Sequence, residues 1–203
     1  MKFYIAENKK MPWGDYGEAL CYGYLNEMTE DYIAQLDVPE LERTGPYIPM
    51  LYIVNFTKLI AVEAIKNILC DGNIMGIKKV VEPLKKHIVE IEWKEWDLNS
   101  ENPLFFPSSG EPEDYIWEGA HDEKIAKNMP IVFCLEIEKN CSLEQISDID
   151  DSDNYAELVL VGEPSLDIFC PENRLYVIIS ERLKTVLETS GVDSLDFIEV
   201  KKR

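Results

Sequence analysis

Two segments constrain this chain more than anything else in it. LIAVEAIKNILCDGNIMGIKKVV (59–81) and VIISERLKTVLETSGVDSLDFIE (177–199) align without a gap at a constant offset of 118. Under that register Glu63 meets Glu181, Ile65 meets Leu183, Lys66 meets Lys184 and Leu69 meets Leu187; beyond the helices, Ile74 meets Val192, Ile77 meets Leu195 and Val80 meets Ile198. Each copy reads as a short apolar strand, a helix of about nine residues, a glycine-containing turn and a second strand. The apolar positions inside each helix recur at i, i+3 and i+4, one face of an α-helix. Ser180 is placed to N-cap the second helix and Gly191 to stop it. GNIMG (72–76) closes a helix rather than opening one, so it is no phosphate cradle. Common descent and convergent patterning both account for the repeat.

Further strands are predicted at KFYIA (2–6), HIVEIEW (87–93), IVFCLEI (131–137), AELVLVG (156–162) and LYVII (175–179), where β-branched and aromatic residues dominate. Leu20, Tyr24, Met28 and Tyr32 recur every four residues and suit a helix within 15–37, against which Gly17 and Gly23 argue. DVPELERTGPYIP reads as loop, and so do 97–115 and 147–154. Strands outnumber helices. The expected fold is α+β, with a mixed or mainly antiparallel sheet carrying the two strand–helix–strand units. The 203 residues are read as one domain, with a possible division into lobes 1–125 and 126–203.

Twenty basic against 39 acidic residues give a formal charge of −19. Such a surface repels phosphate backbones and anionic lipids, which argues against nucleic acid or a membrane as partner and favours a cationic protein. No apolar run reaches the length of a membrane span and the N-terminus lacks a signal h-region, so a cytoplasmic location is expected. The five cysteines include no CxxC pair, and four stand beside apolar residues, as buried reduced thiols do.

The chemistry-bearing motifs are weak. Glu111, Glu113 and Asp114 beside Tyr115 and Trp117 supply the carboxylates and rings of a glycosidase, yet spacing along the chain says nothing of separation in space. DIDDSDN (148–154) lacks the glycine and distal glutamate of a calcium loop. His87 and His121 have no Cys or His at metal-ligand spacing and read as structural. No metal, cofactor or catalytic residue is assigned. The aromatic–acidic stretch 91–119 instead matches what protein interfaces use: rings as anchors, ringed by charge.

Three spaced motifs, Arg43-Thr44-Gly45-Pro46-Tyr47-Ile48-Pro49, Glu92-Trp93 with Trp96-Asp97, and Gly110-Glu111-Pro112-Glu113-Asp114-Tyr115-Ile116 together with His121, resemble those of a poorly characterised bacterial family. Some of its members are immunity proteins of contact-dependent or polymorphic toxin systems. The tail from Leu175 to Val200 is similar to the end of a second immunity-type family. Together the resemblances span about 40–125 and 174–200. Some relatives open with paired CxxC motifs; only Cys21 stands here, so no metal is carried over.

The resemblance, the charge and the aromatic–acidic stretch together imply an immunity-type protein that binds a cognate, basic toxin. Its expected binding residues are Glu111, Glu113, Asp114 and Trp117, then Glu92, Glu95, Trp96 and Asp97. Arg43, Gly45 and Pro46 are expected to be structural, Arg43 by pairing with a carboxylate of that stretch. A hydrolase using paired carboxylates and a non-catalytic scaffold are the alternatives.

Overall fold

The computed structural model describes residues 1–25, 38–45, 48–91, 97, 99–100, 110–111, 114–146 and 158–203. Thirteen strands and five helices form among them. The first half holds β1 (Phe3–Asn8), α1 (Asp15–Tyr22), β2 (Tyr24–Leu25), β3 (Glu40–Thr44), β4 (Leu51–Asn55), β5 (Lys58–Val62), α2 (Glu63–Asp71), β6 (Ile77–Val81) and β7 (Leu84–Val89). The second half holds α3 (Asp114–Glu118), α4 (Glu123–Asn128), β8 (Val132–Ile137), β9 (Ser142–Gln145), β10 (Leu158–Val161), β11 (Ile168–Phe169), β12 (Val177–Ser180), α5 (Glu181–Thr189) and β13 (Leu195–Lys202). The fold is α+β with mixed and antiparallel sheets.

The chain forms two compact units from interleaved segments. One comprises Met1–Lys9, Met50–Val80 and Leu135–Arg203; the other comprises Lys10–Pro49 and Val81–Cys134. The sequence reading is of one domain with a possible division into lobes 1–125 and 126–203.

In the first unit a six-stranded sheet has the order β11-β12-β1-β13-β10-β9. Strand β1 pairs antiparallel with both β12 and β13, Ile5 lying opposite Ile178 on one side and Ile198 on the other. The two strands joined by α5 are therefore parallel to each other with β1 threaded between them, a split β-α-β unit. The parallel pair β10–β13 makes the sheet mixed. Phe3, Ile5, Leu143, Leu160, Phe169 and Ile178 form its core, with the Phe3 and Phe169 rings edge to face at 6.2 Å.

A second sheet, β4-β5-β8-β6, places β8 between the two strands joined by α2, so the same interrupted arrangement occurs twice. The correspondence at the offset of 118 continues in the helices and their ends. Helices α2 and α5 begin and end at equivalent residues, and Ile65, Leu69, Leu183 and Leu187 are all buried. Each such side chain contributes roughly 1.5–3 kcal/mol by leaving water. Both helices end alike: Ile74 N–H bonds Leu69 O at 3.3 Å as Val192 N–H bonds Leu187 O at 3.1 Å, around Asn73 (φ 52°) and Gly191 (φ 81°) in the left-handed region. This is a helix stop in which one residue with positive φ turns the chain and satisfies the last carbonyls. The starts differ. Ser180 Oγ accepts from Leu183 N at 3.2 Å, whereas Val62 offers no side-chain cap.

The two copies are also tied to each other. Buried Asp167 accepts from Ser180 Oγ at 2.7 Å, Met75 N at 3.2 Å and Arg182 Nη1 at 3.2 Å. Arg182 Nη2 in turn donates to Gly72 O at 2.7 Å, at the C-terminus of α2. A cation there satisfies an orphan carbonyl and opposes the helix dipole.

The second unit holds the sheet β2-β3-β7 with α1, α3 and α4. Strand β3 corrects the loop expected over DVPELERTGPYIP: Glu40–Thr44 pair in parallel with β7, and Leu41, Arg43 and Thr44 are buried. Pairing partners from elsewhere in the chain override the local turn residues. The register skips Lys86, which bulges out and sets its ammonium 2.7 Å from Glu40 and 3.7 Å from Glu42. The expected four-residue helical period also breaks, because α1 stops at Tyr22 and Tyr24 opens β2; Met28 and Tyr32 lie outside the described residues. Among the described residues no helix is long and apolar enough to cross a membrane.

Candidate functional site

The part of the aromatic–acidic stretch that the structure describes is built around α3. Asp114 N–H bonds Glu111 O at 3.2 Å, which brings the chain into the helix with Asp114 in its first turn, where a carboxylate opposes the dipole. Ile116 is fully buried and fixes the helix to its unit. At roughly 100° per residue, the next side chain must then turn outward. Trp117 accordingly stands 52% exposed, with Glu118 exposed beside it. Asp114 and Trp117 are three apart and share a helix face.

Beyond α3 the chain is pinned along the outer edge of β7. His87 Nε2 donates to Gly119 O at 2.7 Å. His121 Nδ1 accepts from Ile88 N–H at 2.9 Å, and Asp122 N–H bonds Ile88 O at 2.8 Å, so an imidazole and a backbone amide together stand in for a missing strand. A Cβ on Gly119 would lie 2.3 Å from Val89 Cγ1, which shows how closely the chain hugs the strand. These partners fix the tautomers: a carbonyl can only accept, so His87 carries its proton on Nε2, and His121 must leave Nδ1 bare. The His121 Nε2–H then faces Glu123 Oε1 at 3.6 Å. Asp122 caps α4 by accepting from Lys124 N at 2.8 Å and Ile125 N at 2.9 Å. At the other end of α4, Lys85 donates to Ala126 O at 2.8 Å and Met129 O at 3.3 Å, and burial pulls its pKa down. Both histidines thus hold backbone in place.

Of the eight expected binding residues, Glu111, Asp114 and Trp117 are gathered at α3. Asp97 is exposed and accepts from Asn99 N–H at 2.9 Å, closing a turn of its own. Glu92, Glu95, Trp96 and Glu113 lie outside the described residues, as do Pro46 of the expected structural set and the DIDDSDN segment. Glu118 extends the acidic surface by one residue that the motifs do not single out; its place directly after Trp117 in the same short helix is the signal that could have found it. Arg43 is buried, and the bonds described for it run to backbone, none of them to a carboxylate of the aromatic–acidic stretch as the sequence reading expects: Nη2 to Cys21 O at 2.9 Å, Nε to Gly45 O at 3.3 Å and Nη1 to Tyr22 O at 3.4 Å. Gly45, with φ 66°, continues this tie by donating its N–H to Val89 O at 2.7 Å. Among the described residues, no three His, Cys, Asp or Glu side chains come together as a group able to hold a metal ion.

All five cysteines are free, and Cys21, Cys134 and Cys170 are buried. Cys70 corrects the expectation of burial. It comes directly after Leu69, which α2 turns to the core, so the helical period swings it to solvent. Burial pushes the Cys21, Cys141 and Cys170 thiols up, so each holds less thiolate near pH 8 than an exposed cysteine does. Titration of the native protein with a chromogenic disulfide at that pH should give one fast thiol, removed by Cys70→Ser, with the rest reacting slowly until urea is added. Several equally fast thiols would contradict the burial.

No protein-family model matches the chain, and no curated protein matches it.

Proposed function

We propose that this is an immunity-type protein that acts in the cytoplasm by binding a basic toxin through the surface around α3. The observation that carries the reading is Trp117: a large ring half in solvent, beside Glu118 and on the same helix as Asp114, while Ile116 and the bonds along β7 hold the backbone behind it. An exposed ring on a fixed support loses little conformational entropy on docking. Acidic neighbours would steer a cationic partner toward it and place carboxylates against lysines or arginines around the rim. The hydrolase alternative needs two carboxyl groups enclosed about a substrate, and Glu111 is exposed instead.

Co-expression with the product of the adjacent reading frame tests the reading. The expected result is that the neighbour is toxic alone, harmless with this chain, and co-purifies with it. Trp117→Ala should then weaken the complex roughly thirtyfold or more, as loss of a central aromatic anchor does. The triple change Glu111→Gln, Asp114→Asn, Glu118→Gln should lower the association rate and flatten its salt dependence. Protection with unchanged affinity across both variants would move the interface elsewhere; a harmless neighbour that does not co-purify would remove the reading.

A further inference from the structure

The chain has two histidines, and they meet at β7 with their rings 6.3 Å apart and 89° between planes. They use their nitrogens in opposite senses. His87 donates from Nε2 to Gly119 O at 2.7 Å, whereas His121 accepts at Nδ1 from Ile88 N–H at 2.9 Å. A second proton leaves the first contact intact, because an imidazolium still donates through Nε2. At the second contact it removes the acceptor, since both nitrogens of an imidazolium carry hydrogen. Ile88 N–H would then face another donor. Ile88 is fully buried, where an amide left without a partner is costly.

The charged groups described around the His121 ring do not reverse this. On α4, Glu123 Oε1 stands 3.6 Å from Nε2 and favours the charged ring, but that carboxylate is 75% exposed and water weakens the attraction. The Asp122 carboxylate is committed to capping α4. On β7, a charged His87 would oppose a second charge beside it, Lys85 reaches Ala126 O and Met129 O at the far end of α4, and Lys86 turns to Glu40 and Glu42. Glu90 beyond β7, Glu118 on α3 and Lys124 on α4 are exposed.

We infer that His121 is a proton-operated clasp: neutral, it holds the connector between α3 and α4 on β7, and protonated, it lets go. The connector is only residues 119–122. Asp122 N–H on Ile88 O at 2.8 Å is the return bond of the same pair, so the Ile88 and Asp122 amides open together. What loosens is the backbone directly behind Trp117. The clasp belongs to the fold of this one unit and stands whether or not α3 docks a partner.

The test is amide exchange of the full chain by NMR, expressed as protection relative to the unstructured rate. It compares about pH 7.5 with about pH 5, the interval in which histidine gains its proton. Protection of Ile88 and Asp122 should fall roughly tenfold or more at the lower pH, while Ile5 in the central strand β1 is unchanged. His121→Gln keeps a carbonyl able to accept from Ile88 N–H and has no proton to gain, so it should remove the fall. His87→Gln should retain it. The inference is overturned if Ile88 and Asp122 are equally protected at both pH values, or if His121→Gln still shows the fall. A fall abolished by His87→Gln would name the wrong histidine, and loosening of Ile5 in parallel would mark general acid unfolding; either overturns it too.

Discussion

Arg43→Met should destabilise the protein by about 4 kcal/mol, in the range expected when one member of a buried, charged hydrogen-bonded group is removed. Arg43 is 1% exposed, and its guanidinium donates to the carbonyls of Cys21 and Tyr22 at the end of α1 and to Gly45 beyond β3. Thr44 Oγ1 takes the next carbonyl, Leu20 O, at 2.5 Å. The last carbonyls of a helix have no partner inside it. Here a neighbouring strand supplies partners for three of them from two consecutive side chains. Methionine keeps much of the volume and none of the donors, so buried carbonyls are left without partners. Arg43→Lys should restore less than half of the loss, because a single ammonium cannot span the directions that a planar fork reaches. The measurement is the urea unfolding midpoint at constant slope. A loss below about 1 kcal/mol for Arg43→Met would show that the fork does not hold this end of α1.

The contrast between Arg43 and the repeat shows what a sequence can and cannot reveal. Helices α2 and α5 are legible because burial of one face writes a period into the residues themselves; Ile65 with Leu69 and Leu183 with Leu187 mark the same face in both copies. Even the helix stop at Gly191 is readable, since few residues adopt its backbone cheaply. Asn73, in the equivalent place, is harder to single out, although asparagine is the usual second choice there. Strand β3 is hidden for the opposite reason. Nothing local makes ELERT a strand; parallel pairing with β7 does, together with the bonds that bury Arg43 and Thr44, and those partners are about 20 to 45 residues away along the chain. The interruption of each β-α-β unit by a third strand is equally invisible, because pairing between distant strands leaves no periodic mark. For the candidate site, spacing names Asp114 and Trp117 but reads 97–115 as loop, so the helical face that the two share in α3 is not legible from it. It could not say that Ile116 points inward and Trp117 outward, which depends on what α3 packs against. The Asn8 and Asn173 side chains, which bond through both amide atoms to the backbone of Ile53 in β4 and of Leu143 in β9, and His121 against β7 belong to the same class, since a lone polar residue in a sequence does not name the strand it covers.

Gly76→Ala should cost about 3 kcal/mol, second only to the loss of the Arg43 fork. Two causes add. Gly76 has φ 114°, a conformation that side-chain-bearing residues rarely adopt, and a Cβ built there would fall 1.8 Å from Ile168 O. That oxygen belongs to β11, and the residue before Gly76 is the one that closes the β11 edge: Met75 O accepts from Asp167 N at 2.8 Å as well as from Ile168 N. Gly76 O itself accepts from Glu138 N at 2.9 Å. The turn therefore cannot retreat from the collision without giving up bonds on both sides. Gly191→Ala separates the two causes. Its φ of 81° is also left-handed, but nothing lies within 4 Å of the added Cβ, so the expected cost is only about 1 kcal/mol. For a chain of this size, 3 kcal/mol lowers the melting temperature by roughly 6–12 °C and 1 kcal/mol by roughly 2–4 °C. Equal shifts for the two variants would mean that backbone strain alone accounts for Gly76, and that the approach of the turn to β11 is looser than 1.8 Å implies.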